Sequence, residues 1–363
     1  MNRVAILIVS WNAVRLGHAD DLIASLRAID FPSEALAILI GDNASTDGSA
    51  DYFATHLPSA EVIRFAENLG FAEANNRLAA RATPRPRSTG GEGRQFAYAY
   101  LLNQDCVVDP KFLTHAVEVI ESDPTIGSVQ SRVMLHQQPD TLNTIGNAIH
   151  FLGFGFSLGG YEKASAFPRE IWDRRDIAYA SGAGMLLRLD LVPRIGLFNP
   201  SFYMYHEDLD LGWQIRLLGF RNVVSHDSVV FHKYEFSKSP AKYYYLERNR
   251  FRVLIENFRL PTLLLLMPAL LIFEMGLIPF AWKSGFLREK LRVYGYLLRW
   301  GSWREMLAAR KEKQRRRRIS DRAMLRSMTG AIANLHIDNW LLNAIANPCF
   351  VAYFWIVKRI VFW

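Results

Sequence analysis

The sequence predicts an α/β fold, in which a mixed, mostly parallel sheet is flanked by helices and followed by a helical C-terminal region. Over the first hundred residues, apolar runs of strand length alternate with helical patterns, which is typical of a doubly wound sheet. Half of the 363 residues are hydrophobic and 21% are charged, so the chain can bury a large core. The composition changes near residue 250, which predicts a division into residues 1–255 and 256–363.

Four apolar runs are predicted to be buried strands, at residues 4–9, 36–40, 62–65 and 96–102. The first run lacks the small-residue cleavage site of a signal peptide, so a strand is the better interpretation. Residues 82–94 are rich in Pro, Gly and charge and are predicted to form a flexible surface loop. Two cysteines, Cys106 and Cys349, exclude a disulfide scaffold and a cysteine-based zinc or iron–sulfur site.

Polar residues follow each predicted strand, where ligands bind in sheets of this type. These residues are Ser10, Trp11 and Asn12 after the first strand, Asp42 after the second, Asn68, Gly70 and Phe71 after the third, and Asn103 and Asp105 after the fourth.

Two of these carboxylates have alternative interpretations. Asp42 and Asp47 frame a turn that is either an Asx turn, which caps the next helix through Asp47 or Ser49, or a site where Asp42 accepts hydrogen bonds from a base or ribose. A calcium loop is a poor fit, because Ala44 and Phe53 occupy ligand positions. Asp105 either caps a helix or holds a divalent cation that bridges a diphosphate.

The segment between residues 180 and 233 has the densest pattern of polar and aromatic residues. Glu207, Asp208 and Asp210 lie among aromatic residues at the start of a helical pattern. They either complement the helix dipole or supply a general base at the mouth of an aromatic pocket. His232 ends an apolar run and is either a core histidine or a ligand of a metal held by Asp105.

The basic charge of the chain is concentrated in its C-terminal third. Fifteen Lys or Arg face four acids between Lys283 and Arg326, whereas the rest of the chain is slightly acidic. This asymmetry indicates a polyanionic partner, either phospholipid headgroups or nucleic acid.

Residues 260–282 form an apolar stretch that is long enough to span a membrane. A single crossing would put the basic segment and the preceding domain on opposite sides, against the positive-inside rule. Three prolines and Glu274 also interrupt the stretch, so we expect a re-entrant or interfacial helix with basic helices on anionic headgroups. The aromatic tail, residues 347–363, is too short to span and fits an interfacial anchor. The alternative is that both apolar stretches pack as ordinary core.

Seven motifs stand in order along the chain: ILIVSWN, GDNASTDGS, ENLGFAEANN, YLLNQD, SGAGMLLR, FYMYHEDLDLGWQIRLLGF and VVFHK. Together they resemble the inverting family 2 glycosyltransferases over about residues 3–250. The NLGFA and MY-x-ED-x-DL blocks are most similar to the rhamnosyltransferase-like branch.

The resemblance implies a Rossmann-like GT-A fold, a nucleotide-diphospho-sugar donor, Mg²⁺ or Mn²⁺, and single-displacement transfer with inversion. It also implies a lipid-linked or polysaccharide acceptor in cell-envelope glycan synthesis, at the cytoplasmic face of the membrane. Rhamnose or another hexose, linked to dTDP or UDP, is the donor sugar that this branch suggests.

The resemblance also assigns roles to individual residues. Asp208 falls on the catalytic base, with Glu207 beside it, and Asp105 and His232 fall on metal ligands. The nucleotide side comprises Ser10, Trp11, Asn12, Asp42, Asn68, Gly70, Phe71, Asn76, Asn103 and Asp105.

Two departures from the family pattern bear on function. Asn103 replaces the first acid of the DxD element, which leaves one carboxylate for the metal. The QxxRW element of processive polymerases is missing, which favours a single addition per encounter.

Three other classes are weaker alternatives: a nucleotidyltransferase, a nucleic-acid-binding protein and a non-catalytic scaffold. A nucleotidyltransferase is expected to open with a Gly-rich basic loop, but the first strand here ends in Ser-Trp-Asn. We expect no nucleic-acid partner, because phosphate contacts need base-reading or stacking residues beside the basic face.

Overall fold

A ten-stranded mixed sheet forms the centre of the protein in the computed structural model, which describes residues 2–83, 96–234, 239–332 and 342–363. The strands of this sheet are β1 Val4–Ser10, β2 Leu36–Asp42, β3 Ala60–Arg64, β4 Tyr98–Asn103, β5 Cys106–Val108, β6 Ile126–Leu135, β7 Gln138–Thr144, β10 Asp176–Ile177, β11 Gly184–Arg188 and β12 Arg221–His232. A smaller sheet contains β8 Asn147–His150, β9 Gly155–Ser157 and β13 Met328–Thr329.

The four predicted strands are confirmed as β1 to β4. They lie side by side in the order β4-β1-β2-β3, and all three pairings are parallel. The register sets Ser10 beside Asp42 and Val9 beside Asn103, so their polar ends share one edge. β11 then pairs antiparallel with both β4 and β6, which makes the sheet mixed. The predicted loop at residues 82–94 lies, apart from its first two residues, outside the described residues.

Helices cover both faces of this sheet because alternate strand residues point to opposite sides. The helices up to residue 257 are α1 Ala19–Arg27, α2 Ser49–His56, α3 Gly70–Ala82, α4 Phe112–Glu121, α5 Arg169–Trp172, α6 Val192–Ile195, α7 Glu207–Leu217 and α8 Pro240–Asn257. Ile6 and Ile8 belong to the core beneath α1, α2 and α4. Ala5 and Leu7 belong to the core beneath α3 and α7.

The C-terminal region is helical, as predicted, and packs onto the rest of the chain. Its helices are α9 Leu260–Lys283, α10 Leu287–Leu298, α11 Trp300–Arg316, α12 Asp321–Arg326 and α13 Asn347–Ile360. A third core joins Trp213 of α7 to Leu266 of α9 and Phe354 of α13. The predicted boundary at residue 255 falls inside the last turn of α8, and the division into two domains stays a prediction.

The predicted helical element at residues 260–282 is present and unbroken. α9 is a continuous helix of 24 residues with Pro268 and Pro279 inside it, because a proline removes one N–H from the helical ladder without having to end it. Among the described residues, α9 is the helix long and apolar enough to cross a membrane, judged by length and composition alone.

Part of the basic segment faces the protein interior and not a partner. Lys290 and Lys313 are buried in ion pairs, and Arg317 pairs with Asp321 inside the protein. Arg310 donates hydrogen bonds to the main-chain carbonyls of Ile255, in the last turn of α8, and Phe258, directly after it. The interpretation of the whole segment as a polyanion-binding surface therefore needs correction, since burying a charge requires a partner that sequence position alone does not reveal.

Candidate active site

A cavity of about 490 Å³ opens at the edge of the sheet where β4 and β12 end. Five predicted site residues line it: Phe71, Asn103, Glu207, Asp208 and His232. Aromatic residues supply much of the remaining wall, namely Phe156, Tyr161, Tyr205 and Tyr234. The cavity thus combines apolar walls with a few polar groups, as small-molecule sites usually do.

The carboxylates of Glu207 and Asp208 enter the cavity from the start of α7. The main-chain amides of Gly182 and Leu209 donate to the two oxygens of Asp208, at 3.3 and 2.7 Å. Burial raises the pKa of Asp208 to about 6 in spite of these hydrogen bonds. The carboxylate form of Asp208 therefore predominates at pH 7.

Glu207 is more deeply buried than its neighbour Asp208. Its side chain is buried, and Oε2 has no hydrogen-bond partner among the described residues. Burial, together with the charge of Asp208, raises the pKa of Glu207 well above its ordinary value. Burial thus opposes ionisation of Glu207 more strongly than that of Asp208, whose carboxylate accepts two main-chain hydrogen bonds.

Asp105 and His232 come together at the ends of β4 and β12. Nε2 of His232 lies 3.2 Å from Oδ1 of Asp105, and Nδ1 of His232 lies 3.0 Å from Oδ1 of Asn143. Here Nε2–H faces the Asp105 carboxylate; with a cation bound, the tautomer that carries its proton on Nδ1, donated to Asn143, would turn the lone pair of Nε2 to the metal. Burial raises the pKa of Asp105, but the hydrogen bond and charge of His232 outweigh burial and hold that pKa below its ordinary value.

These two side chains suit a divalent cation. Two ligands at right angles on an ion with bonds of about 2.1 Å lie about 3 Å apart, close to the separation of Asp105 and His232. The Sγ of Cys106 lies within 4.8 Å of both ligand atoms. Burial raises the pKa of its thiol well above the ordinary value, so Cys106 remains a neutral thiol and a poor ligand for Mg²⁺ or Mn²⁺.

The ends of β1 and β2 offer a second set of polar atoms. Ser10 and Asp42 are buried, yet Oγ of Ser10 and Oδ1 of Asp42 have no hydrogen-bond partner among the described residues. The other carboxylate oxygen of Asp42 accepts from the amide of Ser45 at 3.2 Å. Trp11 beside them is 44% exposed. Unpaired buried polar atoms next to an exposed aromatic ring are features of a ligand site.

Three predicted residues make scaffold contacts in the structure. Oδ1 of Asn12 accepts from the amide of Thr46 at 2.9 Å, which joins the ends of β1 and β2. Both amide atoms of Asn76 bond the main chain of Phe198, at 2.9 Å each. Asn68 accepts from the amide of Gly70 at 3.0 Å. A ligand role for these three stays a prediction.

Gly70 marks a close approach between two segments of the site. Its φ is +73°, and a Cβ here would lie 2.5 Å from the ring of Tyr203. Only glycine meets both conditions without strain.

Sequence reasoning missed several residues that shape the site. Asn43 bonds Asn68 and the amide of Leu69, at 3.0 and 2.8 Å. Gln104 holds both main-chain polar atoms of Trp11, at 2.8 and 3.1 Å. Asn43 and Gln104 each stand next to a predicted site residue in the sequence, so their place in the motifs could have indicated a role in the site. Asn143 lies outside every motif, and the sequence offers no sign of its contact with His232.

Asp210 shows why three neighbouring acids need not share a role. It points away from the cavity and pairs with Lys313 of α11 at 2.5 Å. The side chain of Asn257 also donates to it, at 2.7 Å.

Solved structures resemble this fold at low sequence identity. GalNAc-T7, solved with UDP, GalNAc and Mn²⁺, is 14% identical with a TM-score of 0.53; the match covers 70% of this chain and 48% of that one. A mannosyltransferase of Pyrobaculum calidifontis, solved with GDP-Man and Mn²⁺, is 17% identical with a TM-score of 0.48; the match covers 99% and 86% of the two chains. The structural likeness to GalNAc-T7 confirms the predicted GT-A fold.

A curated relative comes from Mycobacterium tuberculosis. Its N-acetylglucosaminyl-diphospho-decaprenol L-rhamnosyltransferase is 24% identical over 238 residues, which cover 62% of this chain and 76% of the relative. The model of the family described as "Glycosyltransferase like family 2" matches residues 2–254, more than two thirds of the chain. The predicted resemblance is thereby confirmed, and the chain belongs to glycosyltransferase family 2.

Proposed function

We propose that the protein is an inverting glycosyltransferase of cell-envelope glycan synthesis. It moves rhamnose or another hexose from a dTDP- or UDP-linked donor to a hydroxyl of a lipid-linked or polysaccharide acceptor. The family membership and the lipid-linked substrate named for the mycobacterial relative support the donor and acceptor classes. The observation that carries the proposal is the half-buried carboxylate of Asp208 in an aromatic-walled cavity shared with His232.

Asp208 acts as the general base in this proposal. The acceptor oxygen forms a bond to the anomeric carbon, the bond from that carbon to the diphosphate oxygen breaks, and Asp208 takes the hydroxyl proton. A pKa of about 6 suits this task, because a base works best when its pKa lies near the operating pH. Burial favours the protonated form of Glu207 beside it, and in that form Glu207 can donate a hydrogen bond to a sugar hydroxyl without adding a second negative charge.

Asp105 and His232 would hold Mg²⁺ or Mn²⁺. When bound, the cation neutralises charge that develops on the leaving diphosphate. Ser10 and Asp42 would bind the base or ribose through their unpaired oxygens, with Trp11 beside them. Asn103 contributes a neutral amide at the place of the first acid in the DxD element of the family, so Asp105 would be the one carboxylate of this element that holds the cation.

Calorimetric titration of dTDP-, UDP- and GDP-sugars with and without Mn²⁺ tests the donor and metal assignments together. We expect one nucleotide to bind with Mn²⁺ and to lose most of that affinity in Asp105→Asn. Asp190→Asn is the matched control, because Asp190 is an exposed carboxylate at the opposite end of the sheet. Equal affinity with and without Mn²⁺ would remove Asp105 and His232 from the metal role.

The exposed side of α9 supports membrane association. Its outward apolar residues recur at helical spacing: Leu260, Leu264, Met267, Leu271, Met275, Ile278 and Trp282. Exposed apolar residues of α10, α11 and α13 add to this surface, namely Leu291, Leu298, Trp300, Val351, Trp355 and Ile360. Exposed apolar area on this scale marks a contact with a membrane or another protein.

The opposite side of α9 is tied to the catalytic part at its midpoint. Glu274 pairs with Arg250 of α8 and, at 2.7 Å, with Lys290 of α10. Lys290 and Arg250 also pair with Glu247 of α8. Burying these charges is tolerable because each faces an opposite charge. The helices before and after α9 in the chain, α8 and α10, both form ion pairs with its middle. We therefore favour a helix that lies in the membrane interface over one that crosses the membrane.

If α9 lies in the interface, the catalytic cavity and the basic helices are on the same side of the membrane. Nucleotide sugars are cytosolic, so the proposed location is the cytoplasmic face of the cell membrane. Flotation with vesicles that contain phosphatidylglycerol tests the proposal. We expect the full-length protein to rise with the vesicles, and a protein that remains at the bottom would contradict it.

A further inference from the structure

The turn that precedes the catalytic carboxylates has a costly backbone conformation. Tyr203, Tyr205 and His206 have φ values of 63°, 65° and 66°. Non-glycine residues seldom adopt this left-handed region, and three within four positions persist only where surrounding contacts fix them. His206 directly precedes Glu207, the first residue of α7, so the turn sets where Glu207 and Asp208 enter the cavity.

A buried side chain of α8 holds this turn. The side-chain amide of Asn249 is fully buried and donates to the carbonyls of Phe202, Met204 and Tyr205, at 3.1, 2.9 and 2.7 Å. An amide has two N–H groups, so these three carbonyls share them. One side chain thereby bonds three of the four main-chain carbonyls from Phe202 to Tyr205.

Arg248 lies on the same helix and also bonds the turn, and we call Asn249 and Arg248 together the clamp. Its guanidinium donates to the carbonyls of Ser201 and Phe202, at 2.5 and 2.9 Å, and to Oδ1 of Asn249, at 2.8 and 2.9 Å. The bonds to Oδ1 orient the amide so that its N–H groups face the turn. Arg248 makes no ion pair among the described residues; it lies over the rings of Tyr244, Tyr245 and Tyr296.

The other side of the turn contacts the start of α3, where predicted nucleotide-binding residues lie. The carbonyl of Tyr203 accepts from the amides of Phe71 and Ala72, at 2.9 and 3.2 Å. The hydroxyl of Tyr203 lies 3.4 Å from Oδ1 of Asn68. The turn therefore joins the start of α3 to the start of α7, which are the predicted donor and base segments.

We propose that Asn249, supported by Arg248, is a positioning residue for the general base. It acts through the turn at residues 202–206 and touches no substrate. The inference rests on the proposed function of Asp208 as base. Loss of the clamp lets Asp208 move from its productive position, and small displacements of a catalytic group cost large factors in rate.

Hydrogen–deuterium exchange of the full-length protein tests the structural part without a substrate. The variants are Asn249→Ala, the milder Arg248→Lys, and the control Leu113→Ala in the core of α4 on the other face of the sheet. We expect Asn249→Ala to speed exchange across residues 202–208 by at least about tenfold, and Arg248→Lys to do so by less. The control should leave this peptide unchanged. If residues 202–208 exchange at the wild-type rate in both Asn249→Ala and Arg248→Lys, the inference is overturned.

Turnover of the donor that the wild type uses, among dTDP-rhamnose and UDP-N-acetylglucosamine, tests the catalytic part. We expect Asn249→Ala to lower kcat by about 10- to 100-fold with a smaller change in the donor KM. The acid limb of its pH profile should move to lower pH, because a looser turn admits water to Asp208. A merely structural residue would, like Leu113→Ala, change neither kcat nor the profile of the folded protein, and that outcome would also overturn the inference.

The two hypotheses fail in different ways. A wild type that turns over no nucleotide sugar would refute the proposed function. Exchange across residues 202–208 would then decide by itself whether Asn249 fixes the turn.

Discussion

Replacing Lys313 with Met should destabilise the protein although Lys313 belongs to the most basic stretch of the chain. Its ammonium is buried between Asp210 of α7, at 2.5 Å, and Glu256 of α8, at 2.8 Å. The two carboxylates keep the pKa of Lys313 above its ordinary value in spite of burial, which opposes the shift. Methionine fills a similar volume but leaves two buried carboxylates without this cation.

The size of the effect follows from burial. Removing one partner of a buried ion pair costs about 3–5 kcal/mol. An unfolding entropy of about 2 cal/mol/K per residue gives roughly 0.8 kcal/mol/K for this chain, so the expected fall in Tm is about 4–7 °C.

Thermal unfolding followed by circular dichroism measures this change. Lys311→Met is the matched control, because Lys311 lies on the same helix and is exposed; we expect its Tm to stay within about 1 °C of the wild type. Equal Tm values for the two variants would refute the burial of Lys313 against α7 and the correction of the basic segment drawn from it.

Three further predictions concern the cavity and the surface. Turnover should fall about tenfold per pH unit below the Asp208 pKa of about 6, since only the carboxylate accepts a proton; a flat profile of kcat/KM between pH 4.5 and 7 would contradict this. Gly70→Ala should lower Tm more than Gly48→Ala, because both have positive φ but only Gly70 faces an aromatic ring within 3 Å; equal Tm values would count against the close approach. Met275→Asp should weaken vesicle binding by at least about tenfold, while Ile171→Asp, equally apolar and exposed but on α5, should not; equal loss in flotation would exclude α9 as the contact surface.

Much of the fold could be predicted from local patterns. The strands β1 to β4 begin and end within two residues of the predicted runs, because continuous apolar runs bounded by polar and turn residues specify buried parallel strands. The start of α7 at Glu207 and the end of β12 at His232 were also predicted. These features depend on neighbours in the sequence.

Features that depend on distant partners could not be predicted. Lys313 and Asp210 are 103 residues apart, and nothing local distinguishes this lysine from the exposed Lys311. Asn249 contacts carbonyls 44 to 47 residues away, and one asparagine in a charged helix carries no signal of that contact. A helical element at residues 260–282 was predicted, but the ion pairs of its Glu274 with α8 and α10 were not, because the partners lie elsewhere in the chain.

The most direct test of the account is transfer by Asp208→Asn compared with the wild type, with donor binding measured on the same samples. The donor is the nucleotide sugar that binds the wild type, and proton NMR reports the anomeric configuration of the product. We predict that the variant binds the donor as tightly as the wild type but transfers sugar at least about 100-fold more slowly, and that the wild-type product is inverted. A variant within about threefold of wild-type turnover, or a product with retained configuration, would contradict the assignment of Asp208 as the base of an inverting transfer.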